Sequence, residues 1–280
     1  MIKILRIIIT LTLLSTMVYF GLITYQHSKS YEANTKKIAK ACDANGLASE
    51  RIDELTAIIS LGLVKNESKI VLQELKEKQT ASKKMAERYL YYFMGTLLIT
   101  LLFTFTCSLR AGAMILSFST FISLFYGLLN PILMVTIHKQ VDYLGDVILS
   151  FESKGIIGSI TKLFESGEFA VAFTILLFSI ILPLLKSLTL TFMLLFYEHP
   201  ANQKMVNFFK QIGKWSMIDV FVVATFLVYF TSNTGGISQA EIQVGLYFFL
   251  SYVILSMITA IQTQKVLEKK LNNHSPLLLK

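Results

Sequence analysis

A chain of 280 residues could form two ordinary globular domains, but this one is 54% hydrophobic and only 16% charged, with a mean hydropathy of +0.59, where soluble globular proteins carry roughly 25% charged residues. With 21 Phe, 12 Tyr, 10 Met and only 4 Pro, and with charges gathered between long uncharged stretches, the composition excludes disorder, a secreted disulfide scaffold and a typical soluble enzyme; it points to an integral membrane protein. The net charge of +8 does not call for nucleic acid, because cytoplasmic loops of membrane proteins collect Lys and Arg for topological reasons.

In chain order, six stretches reach the roughly 20 predominantly apolar residues that a spanning helix needs. The first runs from Ile4 to about Tyr25, interrupted only by Arg6. Its apolar part exceeds the about 7–15 residues of a signal-peptide core and no A-x-A site follows, so residues 1–25 are expected to be an uncleaved anchor. The second is Tyr89–Leu109, in a segment 89–110. The third is Ala111–Ile137 and the fourth Phe169–Tyr197, with Lys186 inside it. The fifth runs from Trp215 to about Phe230 with Asp219 in its first turns, and the sixth is Ile242–Gln264, before a tail over 266–280.

An even number of spans puts both termini on one side. Lys3 and Arg6, Arg110, then Lys204, Lys210 and Lys214, and finally Lys265, Lys269 and Lys270 all fall on that side, which is therefore expected to be cytoplasmic. The connector holding Asp142, Asp146, Glu152, Glu165 and Glu168 lies on the other side and is acidic on balance.

Between the first two spans, Gln26–Arg88 has 12 Lys/Arg against 9 Asp/Glu. At about 60 residues it lies at the limit where the positive-inside rule loses force. Residues 26–88 read as an extracytoplasmic helical hairpin. Ile52, Leu55 and Ile59, then Ile70 and Leu75, recur at helical spacing; Asn45-Gly46 marks a break, and Asn66 is placed to cap the returning helix. Such a hairpin serves as a spacer or a platform for a partner. The sequon Asn66-Glu67-Ser68 reads as a chance match.

The connector Gln140–Glu168 between the third and fourth spans carries one stripe of Val141, Leu144, Ile148 and Phe151 and a second of Ile156, Ile160, Leu163 and Phe164. The expectation is a short amphipathic segment of two helices lying at the membrane surface or capping the bundle.

Polar residues inside the spans are the candidates for function. Lys186 has seventeen uncharged residues before it and eleven after it in its span, about 17 Å from the Tyr197 end. A central lysine costs about 2.5–3.5 kcal/mol on insertion scales and faces the bundle interior or a wet cavity; the competing reading is a lysine snorkelling to the interface. Ser179 and Pro183 share its face, and Pro183 is expected to kink the helix, as is Pro131 after Asn130. Asp219, about 6 Å along the axis from Trp215, is the natural counter-charge of Lys186. Trp215, the single tryptophan, belongs at a headgroup interface. Polar stripes occur in three further spans: Ser119, Ser123, Tyr126 and Asn130; Tyr252, Ser256, Thr259 and Thr263; and Thr96, Thr100 and Thr104. Isolated hydroxyls in membrane helices bond their own backbone or pack between helices. Stripes aligned around a charged pair can also relay protons or receive a head group.

The stretch Gly213-Lys214-Trp215-Ser216-Met217-Ile218-Asp219-Val-Phe-Val-Val-Ala224 closely resembles the signature of the paraquat-inducible protein A family. Gly158 to Ala170 resembles the family's short amphipathic segment, Ser179-Ile-Ile-Leu-Pro183-Leu-Leu-Lys186 its serine–proline–lysine helix, and Asn130-Pro131-Ile132 loosely an element ending its first span. The resemblance covers about 111–265. It implies a four-helix membrane module of the bacterial inner membrane, working beside mammalian-cell-entry-domain proteins that form hydrophobic tunnels for lipids. By motif it carries Ser179, Lys186 and Asp219 over as intramembrane polar residues suspected of coupling transport to protons, with Thr259 a weaker carry-over. Typical members carry two modules and zinc ribbons, whereas this chain has one module and no CxxC pair; a homodimer is one way to supply the second.

The fold expected is thus an all-α integral membrane protein of about six spans. The function expected is a component of lipid trafficking in the bacterial envelope, with membrane lipids and a tunnel protein as partners. A sensory or structural envelope protein is the alternative. Cys107 lies in an apolar run, so pairing with Cys42 is not expected. No nucleotide, protease or hydrolase motif occurs, and His27, His138, His199 and His274 form no ligand spacing, so neither enzyme activity, a metal nor another cofactor is expected.

Overall fold

The computed structural model describes residues 2–41, 67–141, 145–196 and 238–274. Within them run helices α1 (Ile2–Ala41), α2 (Glu67–Thr104) and α3 (Leu109–Leu129), strands β1 (Leu133–Val141) and β2 (Gly145–Lys154), and helices α4 (Ile156–Glu165) and α5 (Phe169–Leu176). A π-helical turn (Leu177–Ile181) leads into α6 (Leu182–Leu195); β3 (Ser238–Ile242) and α7 (Val244–His274) follow. The chain is a predominantly helical membrane protein. Among the described residues, four helices are long and apolar enough to cross a membrane: Lys3–Ile38, Leu109–Leu129, Phe169–Leu195 and Val244–Lys269. The stretch expected as the second span is the last part of α2, which breaks into turns at Phe105–Cys107. The fifth expected span lies outside the described residues, as do Asn45-Gly46, Asn66, Cys42 and Ile52–Ile59.

α1 and α2 pack along each other as the two arms of the expected hairpin. The buried positions of α1 are Met17, Gly21, Thr24, Ser28, Tyr31, Thr35 and Ile38, alternating steps of four and three. On α2 the inward positions Ala86, Leu90, Phe93, Leu97, Thr100 and Thr104 follow the same rhythm. That 3.5-residue repeat is the seam of a left-handed coiled coil. Small residues let the arms approach, and two polar contacts cross the seam: Gln79 Nε2 donates to Thr35 Oγ1 at 2.7 Å, and Thr100 faces Met17 Sδ at 3.8 Å. Further out, exposed Lys78 hydrogen-bonds Glu74 and holds its carboxyl below the usual carboxylate range.

The hairpin docks on the rest of the molecule through Met17, Leu90, Phe93, Tyr126, Val244 and Phe248. Gly21 lies at this junction. A Cβ there would come within 2.2 Å of the Tyr126 ring, so only glycine lets that ring lie against α1, where its hydroxyl donates to the Val18 carbonyl at 2.8 Å. A second core joins α3, α4 and α7 through Leu124, Leu128, Ile156, Ile160, Phe249 and Tyr252.

The third expected span stops eight residues early. Asn130 folds back, its backbone N–H and its side-chain Nδ2 both donating to the Tyr126 carbonyl at 3.1 and 2.8 Å. Pro131 cannot continue the ladder. It therefore ends α3 instead of kinking a longer helix, which corrects the expected role. The Pro131 and Ile132 carbonyls instead accept the N–H groups of Gly245 and Gln243, both at 2.9 Å. A Cβ on Gly245 would lie 2.5 Å from the Pro131 oxygen, so glycine is required at this contact.

The connector that follows is also corrected in its first half. Val141, Ile148 and Phe151 lie in strands, not in an amphipathic helix. Sheet order is β2-β1-β3, all antiparallel. Leu133 pairs with Lys154 on one side and Ile242 on the other, and the register shifts by one residue between Ile137 and His138. Backbone groups outside the apolar helices need partners, and strand pairing supplies them. The second half is the short amphipathic helix expected: α4 buries Ile156 and Ile160 and exposes its other face. The sheet closes one end of the bundle. At the opposite end, the Arg110 guanidinium donates from Nε and Nη2 to the Leu194 carbonyl at 3.3 and 3.2 Å, a cation at a helix C-terminus where the dipole favours it.

Candidate functional site

The site is a polar seam where α3, α6 and α7 meet. Its centre is Lys186 on α6. The ammonium donates to Ser256 Oγ on α7 at 2.9 Å. Ser256 is fully buried and donates in turn to the Val253 carbonyl at 3.2 Å. Lys186 is therefore held inward at half-burial against the neighbouring helix, not extended along its own helix toward the surface.

Why α6 presents Lys186 there follows from Pro183. Proline has no N–H to give the carbonyl four residues back, and its ring crowds that carbonyl; the residue in question is Ser179. The helix answers by widening into the π turn Leu177–Ile181, where the Leu182 N–H reaches back five residues to the Leu177 carbonyl. π turns inside α-helices recur at functional sites. Ser179 sits in this turn, 1% exposed, with its hydroxyl unpartnered among the described residues. Ser179, Pro183, Ser187 and Leu190 form the buried face of the helix, with Lys186 at its margin.

Two hydroxyl pairs stack below Lys186 toward the Arg110 end. Thr120 on α3 and Thr259 on α7 meet at 3.3 Å, and Ser117 on α3 meets Thr191 on α6 at 2.6 Å. Thr191 also donates to the Ser187 carbonyl at 2.9 Å, so its single proton is committed and Ser117 is the donor in that pair. Thr120 and Thr259 each donate to their own helix four residues back, both at 2.7 Å, as isolated hydroxyls in helices do. Beside the seam, the hydroxyls of Ser123, Ser187 and Thr263 and the Asn130 Oδ1 are buried without a partner among the described residues. Uncompensated polar burial is costly, and such atoms are the places where water or a polar ligand group is accepted.

The expected stripes of α3 and α7 are both buried: Ser119, Ser123, Tyr126 and Asn130 on one helix, Tyr252, Ser256, Thr259 and Thr263 on the other; of these Ser256 and Thr259 make the seam's contacts, whereas Tyr126 turns to α1. The α2 stripe goes elsewhere. Thr100 faces α1 across the coiled coil, so Thr96, Thr100 and Thr104 do not join Lys186. Asp219 and the rest of the motif Gly213, Lys214, Trp215, Ser216 and Met217 lie outside the described residues. Ser117, Thr120 and Thr191 belong to the seam and carried no sequence signal beyond their type; Thr191 lies five residues beyond Lys186, and its neighbour across the helices appears only on folding.

A second polar cluster was not foreseen. At the sheet end, Glu241 on β3 accepts from the Tyr31 hydroxyl of α1 at 2.9 Å and pairs with the Lys83 ammonium of α2. Gln243 Nε2 donates to the same carboxylate at 3.3 Å. One carboxylate thus joins both arms of the hairpin to the last strand. No group of three His, Cys, Asp or Glu able to hold a metal occurs among the described residues, and the described cysteine, Cys107, is free.

Compared with known proteins, the chain matches the family model described as Paraquat-inducible protein A over residues 111–267, more than half of its length. The matched segment contains the whole seam and the sheet, and leaves out the coiled-coil hairpin. No curated protein and no solved structure matches the chain.

Proposed function

This chain belongs to the paraquat-inducible protein A family, and we propose that it is the inner-membrane component of a bacterial envelope lipid-transport system, working beside a mammalian-cell-entry-domain tunnel protein. The observation that carries the reading is Lys186, hydrogen-bonded to Ser256 inside the family-matched module. A lysine in an apolar span faces inward where a pathway, a proton relay or a ligand uses it. Ser179 and Asp219 match the family's other intramembrane polar residues. With Thr259 they complete a network that passes protons or takes a lipid head group, Asp219 acting as the counter-charge. No enzyme chemistry is part of this role.

The orientation proposed has both termini in the cytoplasm. Arg110, Lys265 and Lys269 sit toward the end of the bundle opposite the sheet, the end at which α1 starts, and the positive-inside rule assigns that end to the cytoplasm. The sheet and the far half of the hairpin then stand in the periplasm, where a tunnel protein docks.

The test is gentle purification from native membranes, with mass spectrometry of bound lipid and partner proteins. Copurifying phospholipid and a tunnel-forming protein are expected. A preparation with neither, from cells in which the protein is functional, would return the chain to the structural or sensory alternatives.

A further inference from the structure

We propose that the cleft between the hairpin and the start of α7 holds one acyl chain of a zwitterionic phospholipid, with the head group at the sheet end. This site is separate from the Lys186 seam: two of its three walls, α1 and α2, lie outside the family-matched segment. The proposal goes beyond the transport reading, since a lipid can be held here whether or not the chain moves lipids.

The cleft has a volume of about 240 Å³. Its lining changes character along its length. On α2 it runs from Lys83 and Glu87 to Leu90 and Met94, about 16 Å of helix. α7 runs beside it in the same direction, lining the cleft down to Leu250 and Ile254. One end is polar and the shaft is apolar, which is the layout of an amphiphile and not of a water-soluble ligand. The shaft lies against the apolar part of α7 that is long enough to cross a membrane, so the surroundings from which it fills are hydrocarbon. Its outer wall is open: Tyr91 is 73% and Ile254 51% exposed, so a chain enters sideways from the bilayer.

An independent observation points to an occupant of the polar end. Ser28 lines the cleft, is 1% exposed, and its hydroxyl has no partner among the described residues. The Lys83 ammonium has three donors, of which Glu241 occupies one. A phosphate accepts from these two groups. Glu87 follows Lys83 by one helical turn on the same face and offers a carboxylate to an ammonium. With Glu241 beside them, carboxylates outnumber lysines here, so a head group carrying its own positive charge fits and a purely anionic one is repelled.

The experiment uses the full chain in lipid nanodiscs containing a trace of phosphatidylethanolamine with a photoreactive group near one acyl terminus. Labelling is expected on the peptides around Met94 and Ile254, and excess unlabelled phosphatidylethanolamine should suppress it while phosphatidylglycerol does not. Ser251→Trp, which fills the cleft, should lower the label by about tenfold, whereas Leu98→Trp on the exposed side of α2 leaves it unchanged. Where Ser251→Trp fails to fold, Glu87→Lys replaces it, since it changes only a surface charge; it should reverse the preference toward phosphatidylglycerol. Equal labelling of the parent and Ser251→Trp, or a head-group preference that Glu87→Lys does not move, would overturn the proposal. Labelling is read without transport, so a Lys186 variant that loses transport and keeps the label separates the two readings.

Discussion

The Lys186 ammonium and the Ser256 hydroxyl meet at 2.9 Å, tying the helix interrupted at Pro183 to the last helix of the bundle. Replacing Lys186 with methionine keeps the length and apolar stem of the side chain and removes the charge. Membrane insertion should improve slightly, because a central lysine costs about 2.5–3.5 kcal/mol on insertion scales. Lipid transfer between reconstituted vesicles, with the tunnel partner present, should fall by more than about tenfold, which is roughly 1.4 kcal/mol. Unchanged transfer by a well-expressed Lys186→Met protein would remove this residue from the mechanism.

Pro183→Ala tests the π turn. Alanine restores an N–H able to reach the Ser179 carbonyl, so the turn at Leu177–Ile181 should close to a regular helix and withdraw the Ser179 hydroxyl from its present place. Stability should rise, since proline in a helix interior costs about 3 kcal/mol, while transfer activity falls. A higher melting temperature in detergent with full activity would show that the turn is structural only.

Gly245→Val should be the most damaging single change at the sheet end. Its Cβ would meet the Pro131 carbonyl oxygen at 2.5 Å, a backbone atom that cannot step aside. Overpacking of this kind costs about 1–3 kcal/mol or more. Thermal unfolding in detergent should therefore shift down by several degrees, and a variant as stable as the parent would show that α7 enters the bundle less tightly than its N–H bond to Pro131 implies.

Tyr126→Phe removes one hydroxyl and nothing else. The lost bond to the Val18 carbonyl is worth about 0.5–1.5 kcal/mol net, and the ring still packs at Gly21. Disulfide trapping between cysteines placed on α1 and α3 should slow modestly, by less than about tenfold. Complete release of α1 would mean that the ring packing contributes little.

Lys83→Met and Glu241→Gln, singly and together, measure the link between hairpin and sheet. Both side chains are more than a third exposed, so solvent screens the pair and the coupling from the double-mutant cycle should be about 1 kcal/mol or less. It should shrink further at high salt. A larger, salt-independent value would place the pair in drier surroundings than its exposure indicates.

Much of this architecture was legible in the sequence because apolar spans exclude charge. Lys186 stands out in its span as a single cation, and the helix period then puts Ser179 and Pro183 on its face. The hydroxyl stripes of α3 and α7 were visible for the same reason. The stripe on α2 looked identical, and only tertiary packing sends Thr100 to Met17. The sheet was missed because Val141, Leu144, Ile148 and Phe151 fit a helical spacing. Val147, Leu149 and Phe151, set against Asp146, Ser150 and Glu152 and broken only by Ile148, carried the competing two-residue period of a strand. The Tyr31–Glu241–Lys83 cluster joins residues 210 and 158 positions apart, a separation at which no local pattern speaks. The coiled coil hid behind its own composition: a seam of Gly, Thr and Ser has the right period and too little hydrophobicity to announce it.

The 3.5-residue seam of α1 runs without interruption from Met17 to Ile38, through the end of the apolar run and into the charged part of the chain. A helix of 40 residues is about 60 Å long, roughly twice the thickness of a bilayer's hydrocarbon core. The two arms therefore form a stiff shaft seated partly in lipid and partly in water, with Tyr126 against Gly21 near its midpoint. The shaft is held at two heights, by Tyr126 against Gly21 and by Glu241 at Tyr31 and Lys83, so it is fixed in angle as well as in place, and its outer half stands clear of the bilayer at a set tilt.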